Sequence, residues 1–283
     1  MILKDKTALI TGGSRGIGKS VARAFLREGA KVMIAARSRE ELDAVKNELG
    51  KEFDGVAIFR ADVSKKEEID SLVAATVVRF GKIDILINAA GIYGPIGPSH
   101  EVDFDKWEEA FAINVFGTFR MIQKALPIMM QAKHGKIINF SGGGDGPLPR
   151  FSAYNSSKVA VVRLTETLAA ETKDYAIDIN AIAPGPVNTK FLDEALRAGE
   201  ELVGKERYKA LLRQKEEGGA PPEKTAELCV FLASSKSDGL SGKLLSAVWD
   251  DWQKWDKEKI KTIMQSDVYT LRRTKQCGTK DIN

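Results

Sequence analysis

The stretch TGGSRGIGKS, residues 11–20, matches two phosphate-binding patterns at once. Read from Gly13 to Ser20, it spells G-x-x-x-x-G-K-[ST], the P-loop of nucleotide triphosphatases. Read from Gly12 to Gly18, it spells G-x-x-x-G-x-G, a variant of the glycine-rich turn that binds dinucleotides. In both patterns a strand ends, a glycine turn exposes backbone N–H groups, and a helix N-terminus faces a phosphate. The stretch alone therefore leaves both interpretations open.

The rest of the chain alternates short apolar runs with longer helical patterns. The predicted strands are 7–10, 31–36, 55–61, 83–88, 135–141, 176–183 and 243–247, and the predicted helices are 16–28, 39–49, 67–79, 104–131, 152–173 and 222–234. The strands are almost continuously apolar, which is typical of parallel strands buried on both faces. This order predicts an α/β fold of the doubly wound Rossmann type, with a seven-stranded parallel sheet and helices on both faces. Between 185 and 221 the pattern predicts short helices mixed with Gly/Pro loops.

Composition narrows the classes of function. The 283 residues suit one large α/β domain, and lysine plus arginine exceed aspartate plus glutamate by only four, dispersed along the chain. That charge predicts no nucleic-acid partner. Cys229 and Cys277 form no metal-binding spacing and no Asp/Glu/His cluster is visible, so no metal site is expected. No apolar run is long enough to cross a membrane and no leader pattern is visible, so we expect a cytoplasmic protein without a membrane partner.

The predicted strand ends favour the dinucleotide interpretation of the glycine stretch. A P-loop needs an aspartate at the end of another apolar strand to hold magnesium. Only Asp62 follows a strand, and that run is interrupted by Arg60. The other apolar runs end in Ala36, Asn88, Ser141 and Ala183. Lys19 then lies inside the following helix and needs no phosphate role.

Further motifs follow in order along the chain: NAAG (88–91), Asn114, Ser141, YNSSK (154–158) and PGPVNT (184–189). With the glycine turn, they make the sequence resemble the short-chain dehydrogenase/reductase family, from residue 4 to about 247. The resemblance implies a single-domain oxidoreductase that transfers hydride between a nicotinamide cofactor and a carbonyl or secondary alcohol. A catalytically silent dinucleotide-binding or sensor protein of the same fold is the alternative.

The resemblance implies four catalytic residues: Asn114, Ser141, Tyr154 and Lys158. Tyr154 and Lys158 are four positions apart on a predicted helix and therefore neighbours on one face. A phenol has a pKa of about 10, and a nearby ammonium together with an oxidised nicotinamide favours the phenolate. We therefore expect Tyr154 to act as general acid–base near neutral pH. Ser141 would hydrogen-bond the substrate oxygen, and Asn114 would complete a water-linked proton relay through Lys158 or, alternatively, be a buried structural amide.

The predicted cofactor is NADP(H). Ala36 ends the second strand where a carboxylate would select NAD, Arg37 follows it, and Arg15 lies in the glycine turn. Two guanidinium groups suit a 2′-phosphate, although both arginines fit a solvated surface as well. The full set of expected cofactor-binding residues is Gly12, Ser14, Arg15, Gly16, Ile17, Gly18, Arg37, Asp62, Val63, Asn88, Ala89, Gly91, Tyr154, Lys158, Pro184, Gly185, Val187 and Thr189.

The expected substrate is a small-molecule ketone or secondary alcohol, with a sugar or a 3-oxoacyl compound as candidates. The predicted pocket walls are residues 91–100, residues 142–151 and the segment after Pro184. Asp145 and Arg150 are candidate contacts to polar substrate groups, or else loop surface.

The tail departs from the family pattern. We expect one domain over 1–248 and an extension over 249–283, in which Trp249, Trp252 and Trp255 would share one face of a helix. That helix packs either on its own subunit, or over the active site or a neighbouring subunit. The resemblance implies a homo-oligomer, a tetramer or a dimer, that pairs the helices at 104–131 and 152–173.

Overall fold

Seven parallel strands form a single sheet in the computed structural model, which describes residues 1–142 and 146–272. They are β1 (Thr7–Thr11), β2 (Lys31–Ala36), β3 (Val56–Arg60), β4 (Ile85–Asn88), β5 (Gly135–Phe140), β6 (Ile177–Ala183) and β7 (Leu244–Ser246). Their order is β3-β2-β1-β4-β5-β6-β7, so the direction of winding reverses between β1 and β4. The predicted doubly wound Rossmann fold is confirmed, and its ligand crevice lies at the carboxyl ends of β1 and β4.

Ten α-helices connect or follow the strands within the described ranges. They are α1 (Gly16–Arg27), α2 (Arg39–Leu49), α3 (Lys66–Phe80), α4 (Phe104–Phe111), α5 (Thr118–Ala132), α6 (Ser152–Glu171), α7 (Lys190–Val203), α8 (Lys205–Glu217), α9 (Pro222–Ala233) and α10 (Lys257–Met264). Local sequence fixes their ends: the Ser38 hydroxyl caps α2 by accepting the Glu41 N–H, and Gly81 ends α3 at a φ of +84°. Over these ranges, no helix combines the length and apolar character that a membrane crossing needs.

Two hydrophobic layers enclose the sheet. Helices α1, α2, α9 and α10 cover one face, and α3, α5 and α6 cover the other. Successive strand residues point to opposite faces, and in β1 this places Ala8 and Ile10 in the first layer and Leu9 in the second. The prediction of helices on both faces is therefore confirmed.

A third hydrophobic cluster lies beyond the carboxyl edge of the sheet, where α7 and α8 pack on the start of α6. Its buried members are Phe151, Tyr154, Leu192, Ala195, Val203 and Leu211. The helices expected in this region are present as α7 and α8, which are 14 and 13 residues long. Gly199, at a φ of +86°, breaks α7 internally and is a residue that the pattern presents as a loop signal.

The helix predicted over 104–131 is continuous but not uniform. Between α4 and α5, residues Ala112–Gly117 form a π-helix, while the backbone stays right-handed at Ala112 and Thr118. Asn114 lies inside this segment and is fully buried. π-Helical turns are rare and occur often at functional sites.

The three tail tryptophans do not share a helix, so that prediction was wrong. Trp249 precedes a short 3-10 turn at Trp252–Lys254, and α10 begins only after Trp255. Trp249 is 71% exposed, whereas Trp252 is buried with its ring 5.7 Å from that of Phe231 in α9. The tail therefore packs on the chain's own α9 at Trp252.

The segment after α10 runs along the edge strand β7. Tyr269 O accepts the N–H of Leu244 (2.8 Å), and Lys243 Nζ donates to Ser266 O (2.8 Å) and Val268 O (3.0 Å). Tyr269 thus bonds a backbone N–H that an edge strand otherwise exposes, and Lys243 fixes residues 266–268 beside it.

A buried lysine lies near the start of β5, away from the crevice. Lys136 is 2% exposed, and its Nζ bonds Asp178 Oδ2 (2.6 Å) and Asp238 Oδ1 (2.8 Å). The ion pairs join β5 to β6 and to the turn that follows α9.

Candidate active site

The glycine turn after β1 is built for close backbone approach. Gly12 has a φ of +67°, and a Cβ there would lie 2.7 Å from Ala90 N and 2.8 Å from Ala89 O. A Cβ at Gly18 would overlap Gly12 O. Gly12 N also donates to Ala35 O (2.8 Å), which fixes the turn against β2. The bare turn at the N-terminus of α1 fits the pyrophosphate of a dinucleotide, because only glycine leaves this cradle open.

The other side of the crevice approaches the same turn. Gly16 has a φ of +52°, and a Cβ there would lie 3.5 Å from Thr189 Cγ2. Thr189 caps α7 by accepting the N–H of Phe191 (3.3 Å). Ile17 is partly buried against the first hydrophobic layer. The glycine turn and residue 189 therefore face each other across the crevice.

Asn88 closes β4 as part of a buried polar chain. Its Nδ2 donates to Asn139 Oδ1 (2.9 Å), and Asn139 Nδ2 donates to Thr165 Oγ1 (2.9 Å). The buried Asn88 Oδ1 has no hydrogen-bond partner within the part of the chain that the structure describes. A buried acceptor of this kind at the crevice is compatible with a ligand donor.

Asp62 and Val63, expected beside the adenine, have local partners. The Asp62 carboxylate accepts from Ser64 N (2.9 Å) and Ser64 Oγ (2.8 Å). Val63 is buried and so close to Gly117 that a Cβ there would lie 2.9 Å from Val63 Cγ2. Both residues therefore shape the turn after β3, and contact with adenine stays a prediction.

The segment after β6 is anchored at both ends. Pro184 O accepts from Thr225 Oγ1 (3.3 Å), and Val187 N donates to Gly185 O (3.0 Å). Gly185 has a φ of +82°, and a Cβ there would lie 2.6 Å from Val248 Cγ2. The close contact joins the segment to the chain after β7.

The structure brings Ser141, Tyr154 and Lys158 together at the carboxyl end of β5. Lys158 Nζ donates to Phe140 O (2.9 Å) and lies 5.6 Å from the centroid of the Tyr154 ring. Tyr154 Oη lies 3.5 Å from Gly142 O. Ser141 is fully buried at the end of the strand. All three side chains are sequestered from water, which strengthens any charge interaction among them.

Burial controls the acid–base properties of this group. It raises the pKa of Tyr154, with a smaller contribution in the same direction from the neighbouring Tyr93. Burial also lowers the pKa of Lys158 to about 8. In the protein by itself the Tyr154 pKa is therefore above its ordinary value, and its lowering by the ammonium together with an oxidised nicotinamide stays a prediction.

Asn114 is held by its surroundings through both side-chain polar atoms. Its Nδ2 donates to Ile92 O and to Ser157 Oγ (both 2.9 Å), and its Oδ1 accepts from Ile92 N (2.9 Å). A Cβ at Gly91 would lie 3.1 Å from Asn114 Oδ1 and 3.3 Å from Lys158 Nζ. The geometry matches the structural-amide alternative and places Asn114 near Lys158, while the proton-relay role stays a prediction.

An aromatic wall stands beside Tyr154. The Tyr93 ring lies 4.8 Å from that of Tyr154, 5.1 Å from Phe151 and 4.6 Å from Phe191, in edge-to-face contacts. Burial raises the pKa of Tyr93 to about 12. The sequence analysis placed residues 91–100 in the pocket wall but missed this cluster, because its members come from separate loops and helices.

Arg150 and Asp145 are the two residues that the sequence suggests as polar contacts to the substrate. Arg150 is half-buried at a φ of +73°, and its carbonyl accepts the N–H of Gly97 (2.8 Å). This bond ties together two of the predicted walls. Asp145 lies outside the described residues.

Arg15 and Arg37, the predicted 2′-phosphate ligands, have different surroundings. Arg15 Nη1 bonds Glu41 Oε1 (2.7 Å) in α2. Arg37 is exposed just past β2 and makes no hydrogen bond or ion pair with any residue in the described ranges. The two arginines are therefore unequal as phosphate ligands.

Glu41 is a site residue that the sequence analysis missed. Its carboxylate accepts from Ser14 Oγ (2.8 Å), Arg15 and Lys190 Nζ (3.0 Å). Burial alone would raise the pKa of Glu41, but the hydrogen bonds from Lys190, Ser14 and Arg15 outweigh it and hold the pKa at about 2. The spacing Ser38-x-x-Glu41 signals a helix start, but nothing local in the sequence points to Lys190 as a partner.

Comparison with known proteins decides the family. The family profile described as short chain dehydrogenase matches residues 6–199. The chain belongs to the short-chain dehydrogenase/reductase family. It is thus an oxidoreductase of a family that binds a nicotinamide dinucleotide, and the resemblance inferred from its motifs is confirmed.

The matches between this short-chain dehydrogenase and two of its relatives cover nearly the full length of each relative. 3beta-Hydroxysteroid dehydrogenase 1 of Eggerthella lenta is 37% identical over 255 residues, which cover 86% of this chain and 92% of the relative. 3beta-Hydroxysteroid dehydrogenase 2 of the same organism is 33% identical over 253 residues, with 87% and 94% covered. These relatives favour an enzyme over the silent binding protein that the sequence left open.

Solved structures give the same assignment. Levodione reductase superposes with a TM-score of 0.77 at 30% identity, covering 86% of this chain and 96% of that chain. NAD+-bound xylitol dehydrogenase superposes with a TM-score of 0.80 at 26% identity, covering 87% and 98%. Both agree with the fold of this short-chain dehydrogenase.

Proposed function

We propose that the chain is an NADP(H)-dependent oxidoreductase acting on a ketone or secondary alcohol, with Tyr154 as its general acid–base. The proposal rests on one observation, the meeting of Tyr154, Lys158 and Ser141 at the carboxyl end of β5, opposite the glycine turn. The nicotinamide, when bound, supplies or accepts the hydride. The chain's own residues position the substrate and move the proton.

Tyr154 holds the proton that the substrate oxygen needs. Because burial raises the pKa of Tyr154, its Oη is protonated at neutral pH and donates to the oxygen of a ketone during reduction. Lys158, with a pKa of about 8, is mostly charged at neutral pH and stabilises the phenolate that remains. Ser141, buried at the strand end, would hydrogen-bond the same substrate oxygen. Alcohol oxidation uses the same groups in reverse.

The unpaired Arg37 supports NADP(H) as the cofactor. Ala36 ends β2 without a carboxylate, and Arg37 extends a guanidinium without a protein partner among the described residues. A cation at this place accommodates the 2′-phosphate, whereas an acid selects the 2′-hydroxyl. The similar xylitol dehydrogenase structure is NAD+-bound, which makes the choice of cofactor the point to test.

The aromatic wall supports an apolar, ring-bearing substrate. Tyr93, Phe151 and Phe191 form one hydrophobic cluster with Tyr154, and its partly buried members Tyr93 and Phe191 offer aromatic rings beside Tyr154. Between the sugar and the 3-oxoacyl candidates, this wall favours the more apolar compound. Hydroxysteroids and diones, which the names of the similar proteins suggest, are candidates of this kind.

We also propose a homo-oligomer, a tetramer or a dimer, that buries the helices around 104–131 and 152–173. These helices carry large apolar side chains that are at least 37% exposed: Phe104, Phe116, Phe119 and Val159. Exposed apolar surface on that scale favours contact with another copy. A cytoplasmic location stays a prediction.

A Tyr154→Phe substitution tests the function. We expect NADPH binding, followed by fluorescence, to stay within about twofold while kcat falls by about 10²- to 10⁴-fold, because the proton donor alone is removed. Turnover is measured as NADPH consumption with a steroid ketone, a cyclic dione, a 3-oxoacyl thioester and a keto sugar.

The matched control is Tyr175→Phe, which changes an exposed tyrosine after α6. It should leave both binding and kcat unchanged. Substantial turnover by Tyr154→Phe would refute the role of Tyr154. A wild-type protein that binds NADPH and turns over no substrate class would instead support the silent alternative.

A further inference from the structure

Four side chains from three segments meet beside the glycine turn. Ser14 and Arg15 belong to the turn, Glu41 to the first turn of α2, and Lys190 begins α7. Ser14 Oγ, Arg15 Nη1 and Lys190 Nζ all donate to the Glu41 carboxylate, at 2.8, 2.7 and 3.0 Å. Three donors around one anion, two of them cationic, form the kind of arrangement that binds phosphate in proteins.

This cluster lies beside the end of β2, where this fold recognises the adenosine ribose of the cofactor. Gly12 N and Gly13 N both donate to Ala35 O, at 2.8 and 3.4 Å, so the turn that carries Arg15 is fixed to the end of β2. Arg37 follows that strand, and α2, which carries Glu41, begins two residues later. Because the end of the second strand selects between a 2′-hydroxyl and a 2′-phosphate, Glu41 holds donors beside the phosphate's expected place.

We propose that Glu41 is a specificity-determining residue, an internal anion that competes with the 2′-phosphate of NADP(H) for Arg15 and Ser14. The inference rests on the proposed binding of the dinucleotide at the glycine turn. While Glu41 holds these donors, Arg37 alone favours the phosphate. The preference for NADP(H) over NAD(H) is therefore smaller than two free arginines would give.

Charge makes the competition persistent. Glu41 remains ionised throughout the working pH range, because hydrogen bonds from Lys190, Ser14 and Arg15 hold its pKa at about 2. An ionised carboxylate repels a phosphate dianion nearby even when Arg15 bridges the two. NAD(H), which carries a hydroxyl at this place, does not meet that repulsion.

The test is Glu41→Gln in the full chain, since glutamine keeps the size and one acceptor oxygen but loses the charge and the second acceptor. Dissociation constants are measured by fluorescence for NADPH and NADH, and by calorimetry for adenosine 2′,5′-bisphosphate and 5′-AMP. We expect the constant for NADPH to fall about tenfold and that for NADH to stay within about twofold. The bisphosphate should follow NADPH, and 5′-AMP should follow NADH.

Two further variants show whether the effect acts through charge and through Arg15. Glu41→Asp keeps the charge, so its ratio of NADPH affinity to NADH affinity, the NADPH-to-NADH ratio, should stay close to that of the wild type. The double variant Glu41→Gln/Arg15→Gln should show a smaller gain than Glu41→Gln, because the released guanidinium is then absent although the repulsion by Glu41 is still removed. A variant that merely loosened α2 would weaken all four ligands together.

Glu48→Gln is the matched control. Glu48 is a second glutamate of α2 bonded by two cations, Lys19 (3.0 Å) and Arg23 (2.8 Å), but it lies about two turns further along the helix and bonds neither Ser14 nor Arg15. Its removal should leave the NADPH-to-NADH ratio unchanged.

Each outcome separates this inference from the proposed function. Weaker NADPH binding by Glu41→Gln would overturn the inference and make Glu41 a residue that positions Arg15 for the phosphate. An unchanged ratio would overturn it as well. A wild-type protein that binds NADH more tightly than NADPH contradicts the cofactor proposal only. A gain in NADPH affinity relative to NADH affinity in Glu41→Gln supports the competitor role in either case.

Discussion

Arg37 and Arg15 differ in how available their guanidinium groups are to a 2′-phosphate, although both are arginines at positions that fit this role. Sequence spacing assigns both to the 2′-phosphate, but only Arg37 has no partner among the described residues. Arg15 forms an ion pair with Glu41, in which Nη1 lies 2.7 Å from Oε1. A phosphate that binds Arg15 must therefore share the guanidinium with that carboxylate.

Arg37→Ala is the residue-scale prediction. Removing a charge-assisted hydrogen bond to the 2′-phosphate should raise the NADPH dissociation constant by about tenfold to a hundredfold. The constant for NADH should change little, since its ribose carries a hydroxyl. Fluorescence titration with both cofactors measures the two constants.

The control is Arg39→Ala, which removes the next arginine along the chain, one that Asp43 already pairs at 2.9 Å. It should leave both constants near those of the wild type. Equal losses of NADPH and NADH affinity in Arg37→Ala would show that Arg37 does not read the phosphate.

Single residues were predictable where their role depends on local spacing. Gly12 and Gly18 follow from the turn motif, and Tyr154 and Lys158 lie one helical turn apart in any helix. Glu41 could not be found this way, because one of its partners lies 149 positions along the chain. The direction of the Tyr154 pKa also needed the structure, because it depends on burial by loops distant in sequence.

At the scale of elements, the buried Lys136 joins three of them. Strands β5 and β6 lie side by side, and Lys136 ties both to the turn after α9 through Asp178 and Asp238. A buried cation with two carboxylates stabilises its surroundings only while every partner is present.

Lys136→Met is the prediction at this scale. The substitution leaves Asp178 nearly buried without its cation, and we expect the free energy of unfolding to fall by about 3–5 kcal/mol. Urea unfolding of both proteins gives the difference. The same substitution at Lys254, whose pair with Asp251 is exposed, should change stability by less than about 1 kcal/mol. Similar losses in the two variants would contradict the special role of Lys136.

The sheet was predictable because each strand is an apolar run bounded by polar or glycine residues. The π-helix at Ala112–Gly117 was not, since the apolar spacing on either side is that of an ordinary α-helix. The bounds of α7 also needed the structure, because helical backbone lies on both sides of the break at Gly199.

At the scale of the whole molecule, the tail belongs to the same packing unit as the sheet. Trp252, Ile260 and Ile263 are at most 5% exposed and lie in the layer formed by α1 and α9. We therefore propose that residues 249–272 complete the domain rather than form a detachable extension. The spacing of Trp249, Trp252 and Trp255 suggested one helical face. The sequence has no proline here to signal the 3-10 turn at Trp252–Lys254 that breaks the expected helix.

Two tail tryptophans make a matched pair for testing this. Trp252→Ala should lower the free energy of unfolding by about 3–5 kcal/mol, because it empties a buried site against Phe231. Trp249→Ala should change it by less than about 0.5 kcal/mol, since that side chain is exposed. Thermal and urea unfolding measure both. Equal stability of the two variants would mean that the tail is not part of the folding unit.

Residues 266–269, which cover the edge strand β7, are synthesised after all seven strands. Until they do, Leu244 N at the edge of β7 lacks its partner, and the places of Trp252, Ile260 and Ile263 in the core are open. Strand edges without cover recruit other chains, and domains fold as units during synthesis. We therefore expect prematurely terminated chains to aggregate, so that only a translated tail yields a stable enzyme.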